Sequence, residues 1–158
     1  AAAVVDVLDY MPAQFEGRDS IMTIINMLAE GIVKYQDPET GVWWQVTDQN
    51  NRKGNYLESS ASSLFVYFLC KAVNKGYIPV EYKAAAERGF NGLIKQFIKE
   101  EPDGSYTITN CCAVAGLGGK GKRAGRFGFY IGEPVIENDP KSVGSFILAA
   151  IEYEKMKQ

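Results

Sequence analysis

The chain has 158 residues, 46% of them hydrophobic, and its 17 basic and 19 acidic residues give a net charge of -2 at pH 7. This length and apolar content predict one globular domain over residues 1–158. The near balance of charge excludes the basic field that binds nucleic acid or an anionic membrane surface, so neither is an expected partner.

Apolar residues at helical spacing predict two helices in the first part of the chain. The first covers residues 1–11, and the second begins at a cap at Asp19 or Ser20 and ends near Tyr35. The second carries its apolar residues on one stripe, which is typical of a helix that covers a core from outside. A turn signal, Asp37-Pro38-Glu-Thr-Gly41, follows it.

Three further helices are predicted from the same periodicity. The third starts within Ser59–Ser63 and continues to Lys75, the fourth runs from Pro79 to Phe97, and the fifth runs from Pro140 to about Glu152. The fourth has one apolar stripe, so the second and fourth are expected to form an outer layer. The third and fifth are apolar on most sides, and they are expected to be buried as an inner layer, which the first also fits.

The connections between the helices alternate in length. Long loops over about 37–58 and 101–139 follow the second and fourth helices, so an antiparallel helical array brings both to the same end. The turn signal of the first loop is echoed by Glu101-Pro-Asp-Gly104, which indicates repeated helical hairpins. Short β segments are predicted at Val42–Val46 and Tyr106–Thr109.

Both tryptophans of the chain lie in one stretch of the first loop, Gly41-Val-Trp-Trp-Gln-Val46. Aromatic faces stack on the C–H faces of sugars and Gln45 can bridge hydroxyls, so a carbohydrate site is one interpretation. Because consecutive strand residues face opposite ways, only one of Trp43 and Trp44 is expected to reach a cleft. The alternative is that both side chains only plug the loop against the helices.

A polar run, Glu58-Ser-Ser-Ala-Ser-Ser63, opens the third helix. One interpretation is a capping sequence whose oxygens accept hydrogen bonds from the free N–H groups of the helix. The other is a ligand site, since a polar helix start beside the tryptophan loop presents donors to a hydroxylated or anionic ligand. The two interpretations are compatible.

The segment Gly116-Leu-Gly118-Gly-Lys-Gly121 matches the dinucleotide pattern G-x-G-x-x-G. That pattern needs a preceding strand and a following helix, which the flanking residues do not predict, so the segment is interpreted as a loop. Its basic residues either attract a carboxylate or form solvated surface. They are Lys120, Lys122, Arg123 and Arg126.

Three cysteines, Cys70, Cys111 and Cys112, are an odd number and lack metal-site spacing. They predict neither a disulfide framework nor a metal site, and they favour a cytoplasmic over a periplasmic or secreted location. The chain has no histidine, so serine–histidine or cysteine–histidine catalysis is impossible within it. Any acid–base chemistry must use carboxylates.

Four segments together resemble the C-terminal part of glycoside hydrolase family 105. These are the unsaturated rhamnogalacturonyl hydrolases, which are close to the unsaturated glucuronyl hydrolases of family 88. The segments are Asp37-Pro-Glu-Thr-Gly-Val-Trp-Trp-Gln-Val-Thr-Asp48, Asn55-Tyr-Leu-Glu-Ser-Ser-Ala-Ser-Ser63, Lys71-Ala-Val-Asn-Lys-Gly-Tyr77 and Asn138-Asp-Pro-Lys-Ser-Val-Gly-Ser-Phe-Ile-Leu-Ala149. The resemblance covers nearly the whole chain, in order.

The resemblance implies an all-α fold, an incomplete (α/α)6 barrel of about five alternating inner and outer helices with short loop hairpins. It also implies hydration of an unsaturated uronic acid at the non-reducing end of lyase-generated oligosaccharides, by an aspartic acid and without a metal or organic cofactor. In this family the catalytic aspartates lie in the N-terminal half. The acid is therefore expected to be absent from this chain, and neither Asp6 nor Asp9 matches the family's catalytic motif.

The residues expected to line the substrate cleft lie on the two long loops and at the start of the third helix. They are Trp44, Gln45, Glu58, Ser59, Ser60, Tyr130 and Asn138. The alternative to a hydrolase is a non-catalytic helical binding or oligomerisation module. An open set of barrel helices exposes apolar edges, so a missing N-terminal half or a second chain is expected to cover them.

Overall fold

The computed structural model describes residues 1–116 and 125–158. The predicted glycine-rich loop falls largely in 117–124, so that interpretation, with Lys120, Lys122 and Arg123, lies outside the described residues. In chain order the elements are α1 (Ala2–Val7), α2 (Arg18–Lys34), α3 (Ser59–Asn74), α4 (Lys83–Phe97), β1 (Ile98–Glu100), β2 (Tyr106–Ile108), β3 (Cys111–Cys112), α5 (Phe127–Gly132), β4 (Val135–Ile136) and α6 (Pro140–Met156). A search of these residues finds no helix with the length and hydropathy of a membrane span.

The five helices predicted from periodicity all form, with three differences in extent, one of which is that the last helix continues to Met156 rather than ending at about Glu152. The first ends at Val7 rather than near Met11, and the fourth starts after a 3-10 turn at Val80–Tyr82. Beyond Val7 the backbone continues as a turn, in which the N–H of Asp9 donates to the carbonyl of Asp6 and the N–H of Tyr10 donates to the carbonyl of Val7, both at 3.1 Å. The short helix α5 was not predicted, since it contains two glycines, which are poor helix formers.

The two predicted β segments have different outcomes. The prediction at Tyr106–Thr109 is confirmed as β2, which pairs antiparallel with β1. The predicted strand at Val42–Val46 is wrong in extent, because only one isolated bridge forms, between Trp44 and Leu57. The second two-stranded sheet pairs β3 with β4.

The repeated turn predicted from the two acidic proline-containing segments is present in both loops. The carboxylate of Asp37 accepts from the backbone N–H of Thr40 at 2.9 Å, and that of Asp103 accepts from the N–H of Ser105 at 3.0 Å. Each turn has a glycine in the left-handed region, Gly41 with φ of 78° and Gly104 with φ of 81°. The two turns differ in length, since the N–H of Gly41 donates to the carbonyl of Asp37, four residues back, and that of Gly104 donates to the carbonyl of Glu101, three residues back.

The helices pack around α3, which was predicted to be an inner helix. It packs most extensively against α6, and α4 contacts both of them while α1 contacts α2 and α3. The large fully buried side chains come from several elements, which makes the core continuous. They include Trp43, Phe68, Leu69, Leu93 and Phe97.

The last helix, α6, buries a narrow face of small residues against the rest of the molecule. Ser142, Ser145 and Ala149 are buried, and they allow α6 to approach α3 closely. The large apolar side chains of its outer face are instead about half exposed: Ile147, Leu148 and Ile151. Within the described residues no neighbouring element covers this face, so α6 has an exposed apolar edge of the kind expected for an open set of barrel helices.

An ion-pair cluster joins α1 to the C-terminal half of α3. The ammonium of Lys71 lies 2.6 Å from Asp6 and 2.7 Å from Asp9, and Lys75 lies 3.2 Å from Asp9. The hydroxyl of Tyr67 donates to Asp6, and burial together with this bond raises the pKa of Tyr67 to about 12. Burial lowers the pKa of Lys71, but the hydrogen bonds to both aspartates outweigh it and leave that pKa raised.

The acid stability of the fold is expected to depend on Asp9. Its hydrogen bond with Lys71 lowers its pKa below the usual 3.8, so the ion pair stabilises the protein above that pH and stops doing so as pH falls through the lower, folded-state value. The Asp9→Asn variant should be less stable at neutral pH by up to about 1 kcal/mol, because the pair is partly screened by solvent. It should also lose less stability on acidification.

Urea unfolding of the wild type and the variant near neutral pH and near pH 3 tests this expectation. The variant Asp19→Asn, at a residue of α2 outside the cluster, is the matched control. An equal fall in stability for Asp9→Asn and the wild type would contradict it.

Candidate functional site

The two long loops meet at the N-terminus of α3, as their predicted positions require. The N–H of Ser59 donates to the carbonyl of Asn110 at 3.0 Å, and the side-chain amide of Asn110 donates to the carbonyl of Leu57 at 3.3 Å. Asn110 has a φ of 60°, a left-handed conformation that asparagine tolerates better than most residues. The prediction that both loops emerge at one end is confirmed.

The carboxylate of Glu58 joins the helix start to the second loop. It accepts from the N–H of Ala61 at 2.6 Å, from the Ser60 hydroxyl at 2.9 Å and from the N–H of Cys112 at 3.0 Å. Only 2% of Glu58 is exposed, so these donors replace the water that a carboxylate would otherwise bind. The capping interpretation of Glu58 is therefore confirmed, and the same side chain also holds the second loop.

A cavity of about 280 Å³ opens beside this junction. Its polar and charged lining residues are Gln45, Glu58, Ser60 and Lys141. The other lining residues are Ala61 and residues 112–115 of the second loop. The start of α6 thus contributes to the same cavity as the start of α3, which brings Gln45, Glu58 and Ser60 together as the sequence predicted.

The two tryptophans lie on opposite sides of the first loop. Trp43 is 1% exposed, and its indole N–H donates to the carbonyl of Ile32 at 2.7 Å. Trp44 points the other way, where its indole N–H donates to Asp37 at 2.9 Å. It lines a separate cavity of about 210 Å³ that also contains Thr47, so Trp44 does not share the cavity of its neighbour Gln45.

The hydrogen bonds of Asp37 also fix its ionisation. Burial would raise the pKa of this carboxyl group, but hydrogen bonds from Trp44 and Thr40 lower it below its usual value. The group is therefore a charged acceptor that holds the turn and the Trp44 ring in place.

The remaining predicted site residues occupy different environments. Ser59 is 1% exposed, and its hydroxyl makes no hydrogen bond within the described residues. Asn138 has a φ of 51° and binds the second loop, where its side-chain oxygen accepts from the N–H of Ile108 at 2.9 Å. It borders an apolar groove with Val143 and Phe146 rather than the polar cavity. The structure therefore assigns Asn138 a role in loop conformation.

Three functional candidates were not predicted: Lys141 and the apolar residues Ala113 and Val114. Lys141 follows the capping residue Asp139 and lies in the first turn of α6. Its position could have been inferred by noting that two parallel inner helices start at the same end.

No group of three or more metal-ligating side chains is found in the ranges 1–116 and 125–158.

Tyr56, whose hydroxyl is buried, and the buried Cys111 are not activated nucleophiles. Burial raises the pKa of Tyr56, and Cys112 and Glu58 raise it further. Burial likewise raises the pKa of the Cys111 thiol, so it stays protonated at neutral pH. These groups contribute to packing behind the cavity.

The short helix α5 rests on the first loop through three contacts. The guanidinium of Arg52 lies 3.9 Å from the centre of the Phe127 ring. Gly54 lies so close to Ile131 that a Cβ added to this glycine would be 2.9 Å from the Cδ1 of Ile131. The side-chain amide of Gln45 donates to the backbone carbonyl of Tyr130 over a long 3.4 Å. Tyr130 therefore reaches the site through its backbone, and no residue of α5 is buried.

The Arg52→Ala variant is expected to loosen α5 without unfolding the protein. An exposed cation–π contact contributes about 0.5–1 kcal/mol, so the amides of α5 should exchange with deuterium about two- to five-fold faster. Hydrogen exchange followed by NMR measures this. Arg88→Ala, which removes a guanidinium that binds Gln36 elsewhere, should leave α5 unchanged. Unaltered exchange in Arg52→Ala would contradict the expectation.

Comparisons with known proteins agree with this architecture. The sequence model of Glycosyl Hydrolase Family 88 matches residues 1–157. The 24.9 kDa protein in the picA locus of Rhizobium radiobacter is 34% identical, over 96% of this chain and 67% of that protein.

Two solved structures are similar along nearly the whole chain. A glycoside hydrolase from family 105 of C. acetobutylicum ATCC 824 has a TM-score of 0.93 at 45% identity, and the match covers 96% of this chain and 42% of that chain. A possible member of the GH105 family from Salmonella enterica serovar Paratyphi A has a TM-score of 0.78 at 25% identity, over 99% of this chain and 37% of that chain.

The chain thus spans less than half the length of the solved structures that it matches. The resemblance to families 105 and 88 is confirmed, and the helices form part of the helical toroid of these proteins. Because the family match extends over nearly all of its residues, this chain belongs to glycosyl hydrolase family 88.

Proposed function

We propose that this chain forms the C-terminal part of a hydrolase that hydrates the double bond of an unsaturated uronic acid at the end of an oligosaccharide. In this proposal the chain supplies one wall of the substrate cleft. The observation that carries it is the cavity at the junction of the two long loops, where Gln45, Ser60 and Lys141 face the same space. Such mixed polar and apolar cavities are typical of small-molecule sites.

The proposed reaction needs a carboxylic acid that protonates the enol ether and activates water. Glu58 does not fit this role, because its oxygens already accept from three protein donors. Asp6 and Asp9 are paired with Lys71. Lys71 is 12 residues along α3 from Ser59, about 18 Å from the cavity end of the helix. These placements support a catalytic aspartate located outside this chain.

A second candidate, a helical binding or oligomerisation module, is supported by the apolar surface of α6. Ile147 and Ile151 are about half exposed there. A partner that covers this face would be either the N-terminal part of the same hydrolase or a second chain. The relative of 24.9 kDa also indicates that related proteins of small size occur.

Turnover of an unsaturated uronyl disaccharide tests the proposal. Loss of the conjugated double bond is measured as a fall in its ultraviolet absorbance. The chain alone should be inactive. A chimaera that replaces the matching 42% of the C. acetobutylicum enzyme with this chain should be active, because the two share a TM-score of 0.93. Activity of the chain alone would refute the absence of the acid, and a folded but inactive chimaera would refute the proposed cleft.

The location of the protein stays a prediction. All three cysteines are buried and unpaired thiols, which is compatible with the proposed cytoplasmic location. Fractionation of the native cells followed by immunodetection tests it: the protein should be recovered with the cytoplasm, and recovery from the periplasm or the medium would refute the prediction.

A further inference from the structure

The helical array exposes apolar side chains at two separate edges. One is the outer face of α6, whose large apolar side chains are about half exposed. The other, here called the α1–α2 edge, carries Val7, Ile24 and Met27, which are 47%, 47% and 66% exposed. Ile24 and Met27 are three residues apart on α2, so they form one apolar stripe. Contiguous apolar surface of this kind marks a place where another element packs.

Each edge also has an apolar groove between an inner and an outer helix. Beside α6 the groove has a volume of about 400 Å³ and is lined by Ile94 of α4 and Phe146 of α6, among others. At the α1–α2 edge a groove of about 300 Å³ is lined by Met27 of α2 and Phe65 of α3, among others. Both edges are therefore shaped to accept apolar side chains from a helix that packs against them.

The three inner helices run parallel to one another. Glu58 at the start of α3 and Lys141 at the start of α6 line the same cavity. Asp9, just beyond the C-terminal end of α1, pairs with Lys71 and Lys75 near the C-terminal end of α3. Since α3 contacts both α1 and α6, it is the middle of this row. The two exposed edges are therefore the two ends of one parallel array.

A second copy of the chain can cover these edges in two ways. Pairing of α6 with α6 of the other copy buries one edge of each chain and leaves both α1–α2 edges exposed. Head-to-tail pairing places α6 of each copy against the α1–α2 edge of the other, so it buries all four edges. A two-fold axis parallel to the inner helices generates both contacts at once and closes the ring.

The lengths of the related proteins favour closure by a second copy. The match covers 42% of the C. acetobutylicum chain, so two copies supply more than four-fifths of the length of that chain. The match covers 67% of the 24.9 kDa relative, which leaves a third of that protein outside it, against more than half of the C. acetobutylicum chain. A relative of that size is shorter than a complete toroid, which favours closure of its ring by another chain.

We infer that two copies of this chain pair head to tail, with the outer face of α6 of each copy against the α1–α2 edge of the other, and close one ring of helices. The inference goes beyond the proposed reaction, since it specifies which surfaces meet and uses no property of a substrate. Because the inner helices of both copies start at the same end of the ring, both cavities beside Glu58 open at that end.

Analytical ultracentrifugation of the 158-residue chain tests the inference. The chain has a mass of 17.4 kDa, and the closed pair should sediment as one dimeric species of twice that mass. A closed ring leaves no edge free for further association. A monomer, or a series of larger species that grows with concentration, would therefore overturn the inference.

Two double variants each disable one edge. Ile147→Glu with Ile151→Glu places carboxylates on α6, and Ile24→Glu with Met27→Glu places them on α2. All four side chains are about half exposed or more, so the fold of the single chain should tolerate the changes. Self-association of each variant should weaken at least about 100-fold, because both contacts of the pair would bury charge. Val80→Glu, at a residue 72% exposed outside both edges, is the control and should stay dimeric.

Mixing the two double variants distinguishes head-to-tail pairing from pairing of α6 with α6. A mixed pair keeps one intact contact, between the unchanged α1–α2 edge of one variant and the unchanged α6 of the other. The mixture should therefore form heterodimers although each variant alone is monomeric. Dimerisation of the α2 variant by itself, or a mixture that stays monomeric, would overturn the inference.

The outcome is independent of the hydrolase proposal, which the chimaera tests. A monomeric chain together with an active chimaera would overturn only the pairing, and the N-terminal part of the hydrolase would then be the cover of both edges. A dimeric chain together with an inactive chimaera would support the pairing and refute only the proposed cleft.

Discussion

Replacement of Trp43 by alanine should destabilise the protein by about 3–5 kcal/mol, the range for large aromatic side chains removed from a core. The side chain is 1% exposed, and its ring packs edge-on against Phe65 with centroids 5.3 Å apart. Its indole N–H also donates to the carbonyl of Ile32, near the C-terminal end of α2, where carbonyls lack helical partners. Urea unfolding measures the loss.

Two variants make this result specific. Trp43→Phe keeps most of the ring but leaves the Ile32 carbonyl without its donor, so it should cost about 1–3 kcal/mol. Trp44→Ala is the same kind of change at the adjacent, partly exposed residue. It should cost only about 1 kcal/mol of stability, because it removes the hydrogen bond from the indole N–H to Asp37. If Trp44→Ala were as damaging as Trp43→Ala, the assignment of one tryptophan to the core would be wrong.

Replacement of Glu58 by alanine should destabilise the protein by about 1.5–5 kcal/mol. The change removes the N-terminal cap of α3, which costs about 0.5–2 kcal/mol of stability. It also leaves the buried N–H of Cys112 without a hydrogen-bond acceptor, which costs about 1–3 kcal/mol. Both effects should appear as a lower urea midpoint. Because Glu58 joins α3 to the second loop, the amides of residues 111–115 should also exchange faster with deuterium.

The controls for Glu58 distinguish a structural from a purely ligand-binding role. Glu58→Gln keeps one acceptor oxygen and the same shape, so it should lose about half as much stability. Ser60→Ala removes a hydroxyl that donates to Glu58 and should cost less than about 1 kcal/mol. Unchanged stability in Glu58→Ala, with only sugar binding reduced, would contradict the structural role.

The position of Glu58 clarifies how the site is organised. A carboxylate at the start of an inner helix suggests a catalytic or sugar-binding group when it is considered alone. In the fold, its bond to Cys112 spans 54 residues of sequence, so it acts as the link that keeps the second loop next to the first. The groups left to contact a ligand are therefore its neighbours Gln45, Ser60 and Lys141.

The helices, their order in the array and the repeated turns could all be predicted from local patterns. Helical periodicity depends on residues three or four apart, and a proline followed by a glycine sets a turn within five residues. Four short segments were sufficient to indicate the family, which the match over residues 1–157 confirms. The short helix α5 escaped prediction because its stability comes from Arg52 and Gln45, contacts distant in sequence.

The sequence alone therefore established an all-α array, the meeting of two long loops at one end, and the relationship to family 88. The tertiary structure was needed to place Trp43 in the core and Trp44 outside the cavity, because a single bridge between Trp44 and Leu57 sets which side each residue faces. It was also needed to bring Lys141 to Glu58 and to reveal the exposed apolar face of α6. These features depend on packing between segments far apart in the chain, about which local periodicity carries no information.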